Sequence, residues 1–301
     1  MTASVSHQAL GTEEQYDLIE ILCIWAIASL PMVLLTRIAV PALAPHVNMH
    51  PGILFWWSTI LGMAWQFAVS MWIVYREEGD VRWATIRRRF WLNTPRDPKT
   101  GEPRAKLFWW LVPGILLTFL IMEGLGGYLD AALAWVFPGL TTPPYSDIAQ
   151  LATPEFAGAW WVVGIALVAS VFNYFLGEEF LFRGVLLPKM KGVFGKWDWV
   201  ANAVLFGLYH IHWAPRMLSI IATTLPGVWL SRRFRCNWME IVIHGVEAIP
   251  LDWVGNRIAV GRVIVGDEFR LEPAPGVDHI LPGRPAELRI LANPLARQQK
   301  N

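Results

Sequence analysis

The stretch Asn173-Tyr174-Phe175-Leu176-Gly177-Glu178-Glu179-Phe180-Leu181-Phe182-Arg183-Gly184 sets two adjacent carboxylates and an arginine at the end of a long apolar run. An ionisable side chain inside a membrane segment is costly, so three together mark a functional site. At about 100° per residue, Glu179 and Arg183 (i, i+4) share one helix face and can form an ion pair. Glu178 points about a quarter-turn away and has no such partner within the stretch. One glutamate therefore reads as structural and the other as available for chemistry.

The bulk composition fits a membrane setting. The chain is 54% hydrophobic and only 16% charged, where a soluble domain is about a quarter charged. Its mean hydropathy is +0.38. Several of the 18 tryptophans fall beside apolar runs, as in Trp56-Trp57, Trp109-Trp110, Trp160-Trp161 and Trp197/Trp199. An amphipathic ring suits the membrane–water boundary. The expected class is all-α: a polytopic membrane helix bundle with about seven to eight transmembrane helices. A net charge of +1 gives no reason to expect a nucleic-acid partner. Cys23 and Cys236 are too few for a disulfide framework or a thiolate metal site and read as small buried hydrophobes.

Before Arg37 there is no Lys or Arg, while Glu13, Glu14, Asp17 and Glu20 are present. The first apolar run therefore reads as a retained span rather than a signal peptide. Spans are expected at about Leu18–Leu35, Ile53–Val74, Leu107–Gly127, Ala157–Leu176, Trp199–Trp213, Met217–Leu230 and Trp238–Val254, the longer of them near the length that a bilayer crossing needs. The loop Arg76–Lys106 has nine Lys/Arg against five Asp/Glu, which places it on the cytoplasmic side. Within it Val81–Trp91 reads either as a basic amphipathic helix on the headgroups or as a solvated connector. Tyr128–Phe156 carries Asp130, Asp147 and Glu155 but no Lys or Arg. It reads as an outer connection, with a short interfacial helix at Ala131–Phe137. Residues 1–156 form an amino-terminal helical part with the basic loop 76–106, and residues 157–254 a second helix bundle. Residues 255–301 form an extramembrane tail, in which the alternation over Ile258–Leu271 suggests a strand or β-hairpin.

Intramembrane ionisable groups concentrate in the late spans: Glu178, Glu179 and Arg183, then His210 and His212, then His244 and Glu247. Asn202, Phe206 and His210 follow at i, i+4, i+8, and Asn237, Ile241, His244 and Ala248 at i, i+4, i+7, i+11, so each set shares a face. Taken singly, an intramembrane histidine is often a packing residue, His212 suits an interface, and Glu20 suits a span end. Glu178, His210 and His244 on three neighbouring spans point instead to a joint site. Carboxylate and imidazole can activate a water by general-base catalysis, or can bind Zn²⁺ through oxygen and nitrogen. No H-E-x-x-H, G-x-S-x-G or paired-aspartate motif is present.

These motifs resemble those of a known family. Glu178-Glu179 with Arg183 is similar to the E-E-x-x-x-R motif of the CAAX-protease and bacteriocin-processing (CPBP, or Abi) intramembrane endopeptidases. Phe206 to His210 resembles the F-x-x-x-H motif, and Asn237 to Ala248 the segment that bears H-x-x-x-N/D. The resemblance covers about Ala157–Val254. It implies a metal-independent, multi-pass protease, with a bacterial cytoplasmic (inner) membrane as its location and the lipid bilayer and a peptide or protein as its partners. Glu178 and His210 would activate a water, His244 would stabilise the oxyanion, and Glu179 and Arg183 would hold the geometry, with Phe206 in support. The substrate would be a prenylated CAAX-type tail, a leader peptide or a small membrane protein.

One position departs from the pattern: Ala248 stands where the family has Asn or Asp. Alanine donates no hydrogen bond, and loss of one oxyanion donor costs about 10²–10³ in rate. Glu247, about 60° from His244 on the wheel, is the candidate substitute, as a protonated donor or as a group that orients His244. Two other readings stay open: a non-catalytic scaffold or immunity protein, and a zinc-dependent hydrolase with Glu178, His210 and His244 as ligands. A transporter fits less well, since no broken-helix repeat is visible.

Overall fold

The computed structural model describes residues 14–147, 151, 153–156, 158–246, 264–265 and 268–269. Helix α1 (Leu18–His46) starts at a reciprocal cap: the Asp17 carboxylate accepts from the Glu20 backbone N–H at 2.8 Å, and the Glu20 carboxylate accepts from the Asp17 N–H at 2.8 Å. The sequence Asp17-x-x-Glu20 is thus a capping box, which gives Glu20 a role at the helix start. Helix α2 (Pro51–Glu78) begins with proline at its first position, where no N–H is needed, and ends at Gly79 in the left-handed conformation (φ 77°). The short α3 (Trp83–Arg89) leads to α4 (Ala105–Val136). Then come α5 (Trp160–Lys189), α6 (Asp198–Tyr209), a 3₁₀ turn at His210–Arg216, α7 (Met217–Phe234) and α8 (Trp238–Val246).

Among the described residues, four helices, α1, α2, α4 and α5, are long and apolar enough to cross a membrane. The last three expected spans are also helical where described but fall short of that mark. Helix α6 gives way to the 3₁₀ turn at His210, and α7 ends on Arg232-Arg233. Helix α8 is described only to Val246, so the rest of the expected Trp238–Val254 span lies outside the described residues. Of the tail, Ile264–Val265 and Glu268–Phe269 pair antiparallel, and the remainder of Ile258–Leu271 lies outside them too.

Two boundaries differ from the sequence reading. Ala131–Phe137 is not a separate interfacial helix: α4 runs unbroken from Ala105 to Val136. Gly126 and Gly127 look like a break in sequence but keep right-handed helical angles and are carried through in a π segment, Met122–Gly126. The apolar run with the two glutamates does not end at Leu176 either. Helix α5 continues to Lys189, so Glu178 lies within a helix and not at its end.

Helix α2 has the most buried apolar window of the four, 44% against 11% for α4, so α2 is central and α4 peripheral. The main core joins the first helices to α5 and α6. Tyr16, Met32, Met63 and Phe90 pack with Phe180, Phe182 and Phe206. Large apolar side chains on the outer surface, such as Ile19, Leu61, Leu120 and Trp135, are exposed. That is the inverse of a water-soluble surface and suits a helix that faces lipid.

Candidate active site

The site is organised by an irregularity in α5. The Gly177 N–H donates to the Phe172 carbonyl at 2.7 Å, an i→i−5 bond, and π segments lie on both sides, Phe172–Leu176 and Glu179–Leu186. Such π segments often occur at functional sites. Gly177 also permits a close helix approach. A Cβ there would lie 2.7 Å from the Phe172 carbonyl oxygen and 2.9 Å from that of Met63 on α2.

Glu178, next to this glycine, is only 2% exposed. Its Oε1 stands 3.9 Å from His210 Nε2 and its Oε2 4.0 Å from His244 Nε2. Side chains from α5, from the turn after α6 and from α8 therefore converge. Each imidazole is oriented through its other nitrogen. His210 Nδ1 lies 2.8 Å from the Phe206 carbonyl, and His244 Nδ1 lies 3.0 Å from Glu179 Oε1. A carbonyl and a carboxylate only accept, so each Nδ1 carries a proton, and the Nε2 atoms turn towards Glu178.

Phe206 explains why an aromatic residue precedes the histidine by one turn. Its ring meets His210 edge-on at 4.7 Å and His244 at 5.7 Å, and the Arg183 guanidinium lies 3.9 Å from its centroid. One ring thus packs both imidazoles and takes a cation on its face.

The expected Glu179–Arg183 pair is present at 3.6 Å, with both side chains fully buried. Arg183 has a closer partner that the sequence reading did not assign: Nη2 donates to Glu240 Oε1 at 2.8 Å. Glu240 is 2% exposed, and its backbone N–H donates to Ser231 Oγ at 3.1 Å. Gly227 makes room for this carboxylate, since a Cβ there would fall 1.4 Å from Glu240 Oε2. A second unassigned residue is Asn173. With its amide turned to donate, the nitrogen reaches Glu178 Oε1 at 3.0 Å and Oε2 at 3.1 Å. Residues five apart stack in a π-type turn, so a search at α-helical period does not pair Asn173 with Glu178.

Glu178, Asn173, Tyr209, His210 and His244 line a cavity of about 610 Å³ that extends to Asp130 and Arg216. His212 also lines it, stacked on His210 at 5.4 Å. Glu247 and Ala248 lie outside the described residues. Among the described residues, no group of three or more His, Cys, Asp or Glu side chains is arranged to hold a metal ion.

A buried carboxylate–imidazole cluster, carried partly on a helix able to cross a bilayer, defines an integral membrane protein with a polar interior site. Residues 157–248 match the model of the Rce1-like family, described as type II CAAX prenyl endopeptidase Rce1-like. This Rce1-like segment contains Glu178, Glu179, Arg183, Phe206, His210, Glu240 and His244, and at the level of the family it supports a CAAX-type protease. No curated protein and no solved structure matches the chain.

Proposed function

We propose that the protein is an intramembrane endopeptidase in which Glu178 and His210 activate a water for attack on a peptide carbonyl. The observation that carries this reading is the placement of the Glu178 carboxylate 3.9 and 4.0 Å from two imidazole Nε2 atoms. These separations exceed a direct hydrogen bond but suit one bridging water. In the proposed step Glu178, assisted by His210, takes the water's proton as the oxygen attacks, and the proton then passes to the leaving amine. His244, held by Glu179 through Nδ1–H, acts as an imidazolium and donates from Nε2 to the developing oxyanion. Glu179, Arg183 and Glu240 fix the position of His244, and Asn173 that of Glu178. Substrates of this reading are a prenylated CAAX-type tail, a leader peptide or a small membrane protein. The chemistry needs no metal, and a chelator-treated enzyme is expected to keep its turnover.

The reading also takes α6, α7 and α8 as further membrane passages in a bundle of about seven to eight helices, with residues 255–301 outside it. Cysteine-accessibility mapping of the connecting segments tests that count.

Glu178→Gln and His210→Ala in purified protein are each expected to lower cleavage of a farnesylated CAAX-type peptide by about 10²–10⁴. Cleavage at the wild-type rate would remove the assignment. Ala248 favours one second reading, a non-catalytic membrane scaffold or immunity protein. On that reading Glu178→Gln leaves the cellular phenotype intact, whereas a protease loses it.

A further inference from the structure

A second cavity, of about 840 Å³, lies at the other end of α6 and α7, beside the basic loop that follows α2. Six basic side chains line it, Arg88, Arg96, Lys196, Arg232, Arg233 and Arg235, against two acidic ones, Asp97 and Asp198. Both acids are already engaged: Asp198 pairs with Arg232, and Asp97 with Arg104 at 2.8 Å. Arg233 and Arg235, at the end of α7, are exposed and form no ion pair among the described residues. Asp198 offsets Arg232, and Arg88 pairs with Glu78 at 2.7 Å, so Arg96, Lys196, Arg233 and Arg235 remain without an ion pair among the described residues and the cavity is net cationic. It is also separate from the carboxylate–histidine site. At about 1.5 Å per residue, Asp198 and His210 are about 18 Å apart along α6.

We propose that this cavity is a binding site for the headgroup of an anionic phospholipid. A planar guanidinium presents paired donors that match phosphate oxygens. Basic pockets between helices, just beyond the membrane ends, take anionic headgroups in this way. Three features favour a lipid over a free anion. Trp91, Trp199 and Trp229 line the same cavity, and tryptophan settles at headgroup level. Lys196 lies 5.4 Å from the Trp197 ring, whose 58% exposure leaves an apolar surface at that level. Both α6 and α7 run between this cavity and the interior site, and with the two helices taken as membrane passages, as in the proposed function, the cavity lies where the bundle meets the headgroups. The site anchors lipid whether or not the interior cluster is proteolytic.

The test is native mass spectrometry of the full-length chain in detergent, with equimolar phosphatidylglycerol and phosphatidylcholine added. Wild type is expected to retain phosphatidylglycerol in preference. The double variant Arg233→Gln/Arg235→Asn should lower that retention by about tenfold; asparagine suits the left-handed backbone at residue 235 (φ 45°). A control that removes two exposed charges outside the cavity, Lys106→Gln/Lys191→Gln, should change retention by less than about twofold. If the double variant misfolds, Lys196→Gln on its exposed turn gives the same readout. Equal retention of both lipids, unchanged retention in the cavity variants, or an equal loss in the control would overturn the proposal. So would full displacement of the lipid by millimolar inorganic phosphate, which would mark a site for free anions.

Discussion

Two charged clusters along α5 differ in how well their members are matched. Near the end of the helix, Glu77 accepts from Arg89 at 3.0 Å, from Lys189 at 2.9 Å and from the Tyr16 hydroxyl. Arg89 then donates to the Gly184 and Val185 carbonyls at 2.9 and 3.3 Å, within the π segment. One carboxylate thus has two cations and a phenol, and the excess donors serve irregular backbone. The interior cluster is the reverse: Glu179 and Glu240 share one guanidinium, that of Arg183. Glu179 Oε2, Glu240 Oε2 and Arg183 Nε have no hydrogen-bond partner among the described residues. Buried polar atoms are normally paired, and the exceptions call for an explanation. A saturated cluster holds a fold together. An unsaturated one leaves buried polar atoms unpaired behind the cavity, and stays in place because its single cation is shared.

That difference is broken most directly at Arg183. Arg183→Met removes the cation between two buried carboxylates and should destabilise the protein by about 3–5 kcal/mol. Thermal unfolding in detergent measures this, and a loss under about 1 kcal/mol would show that the carboxylates do not depend on Arg183. Gly227→Ala comes next. The added Cβ displaces the Glu240 carboxylate, for an expected loss of about 1–3 kcal/mol, the range of an overpacked core. In a Glu240→Ala background the same substitution should cost much less, because the clash disappears with the carboxylate. At the saturated cluster, Arg89→Lys keeps the charge beside Glu77 but loses the fork that spans two carbonyls. The expected loss is about 1–2 kcal/mol, with protection of the Gly184 and Val185 region read by hydrogen exchange.

The same contrast explains what the sequence could reveal. Glu178, His210 and His244 were legible because each is an ionisable residue in an apolar run, and because stripes at α-helical spacing put them on inward faces. The Glu179–Arg183 pair followed from i, i+4 spacing. Asn173 was not legible as a partner of Glu178, because their five-residue offset acquires meaning only where the helix widens. Glu240 was visible as an acidic residue in a late span, yet its pairing with Arg183 crosses 57 positions and depends on the absence of a side chain at Gly227. Arg89 was read as part of a basic surface helix or a solvated connector. Its guanidinium instead reaches back to α5 and is buried, a contact that charge pattern alone does not reveal. The helix that continues through Gly126 and Gly127 shows a similar limit, since glycine permits a break without requiring one.

The smallest effect is expected at Lys189, and it tests saturation itself. Lys189 lies at the end of α5, 2.9 Å from Glu77 and 4.9 Å from the Tyr16 ring centroid. Glu77 retains Arg89 when this lysine is neutralised, and it retains the Tyr16 hydroxyl. Burial pushes the Tyr16 phenol well above its usual range, so it keeps its proton and remains a donor across the accessible pH range. Lys189→Gln should therefore cost no more than about 1 kcal/mol, as for a partly exposed ion pair. The Tyr16 backbone bond to the Lys189 carbonyl, at 3.0 Å, does not depend on the side chain and should persist. A measured loss above about 2 kcal/mol would mean that Glu77 depends on both cations. The cluster at the end of α5 would then be as sparingly compensated as the one around Arg183, and the distinction between a holding cluster and a working one would fail.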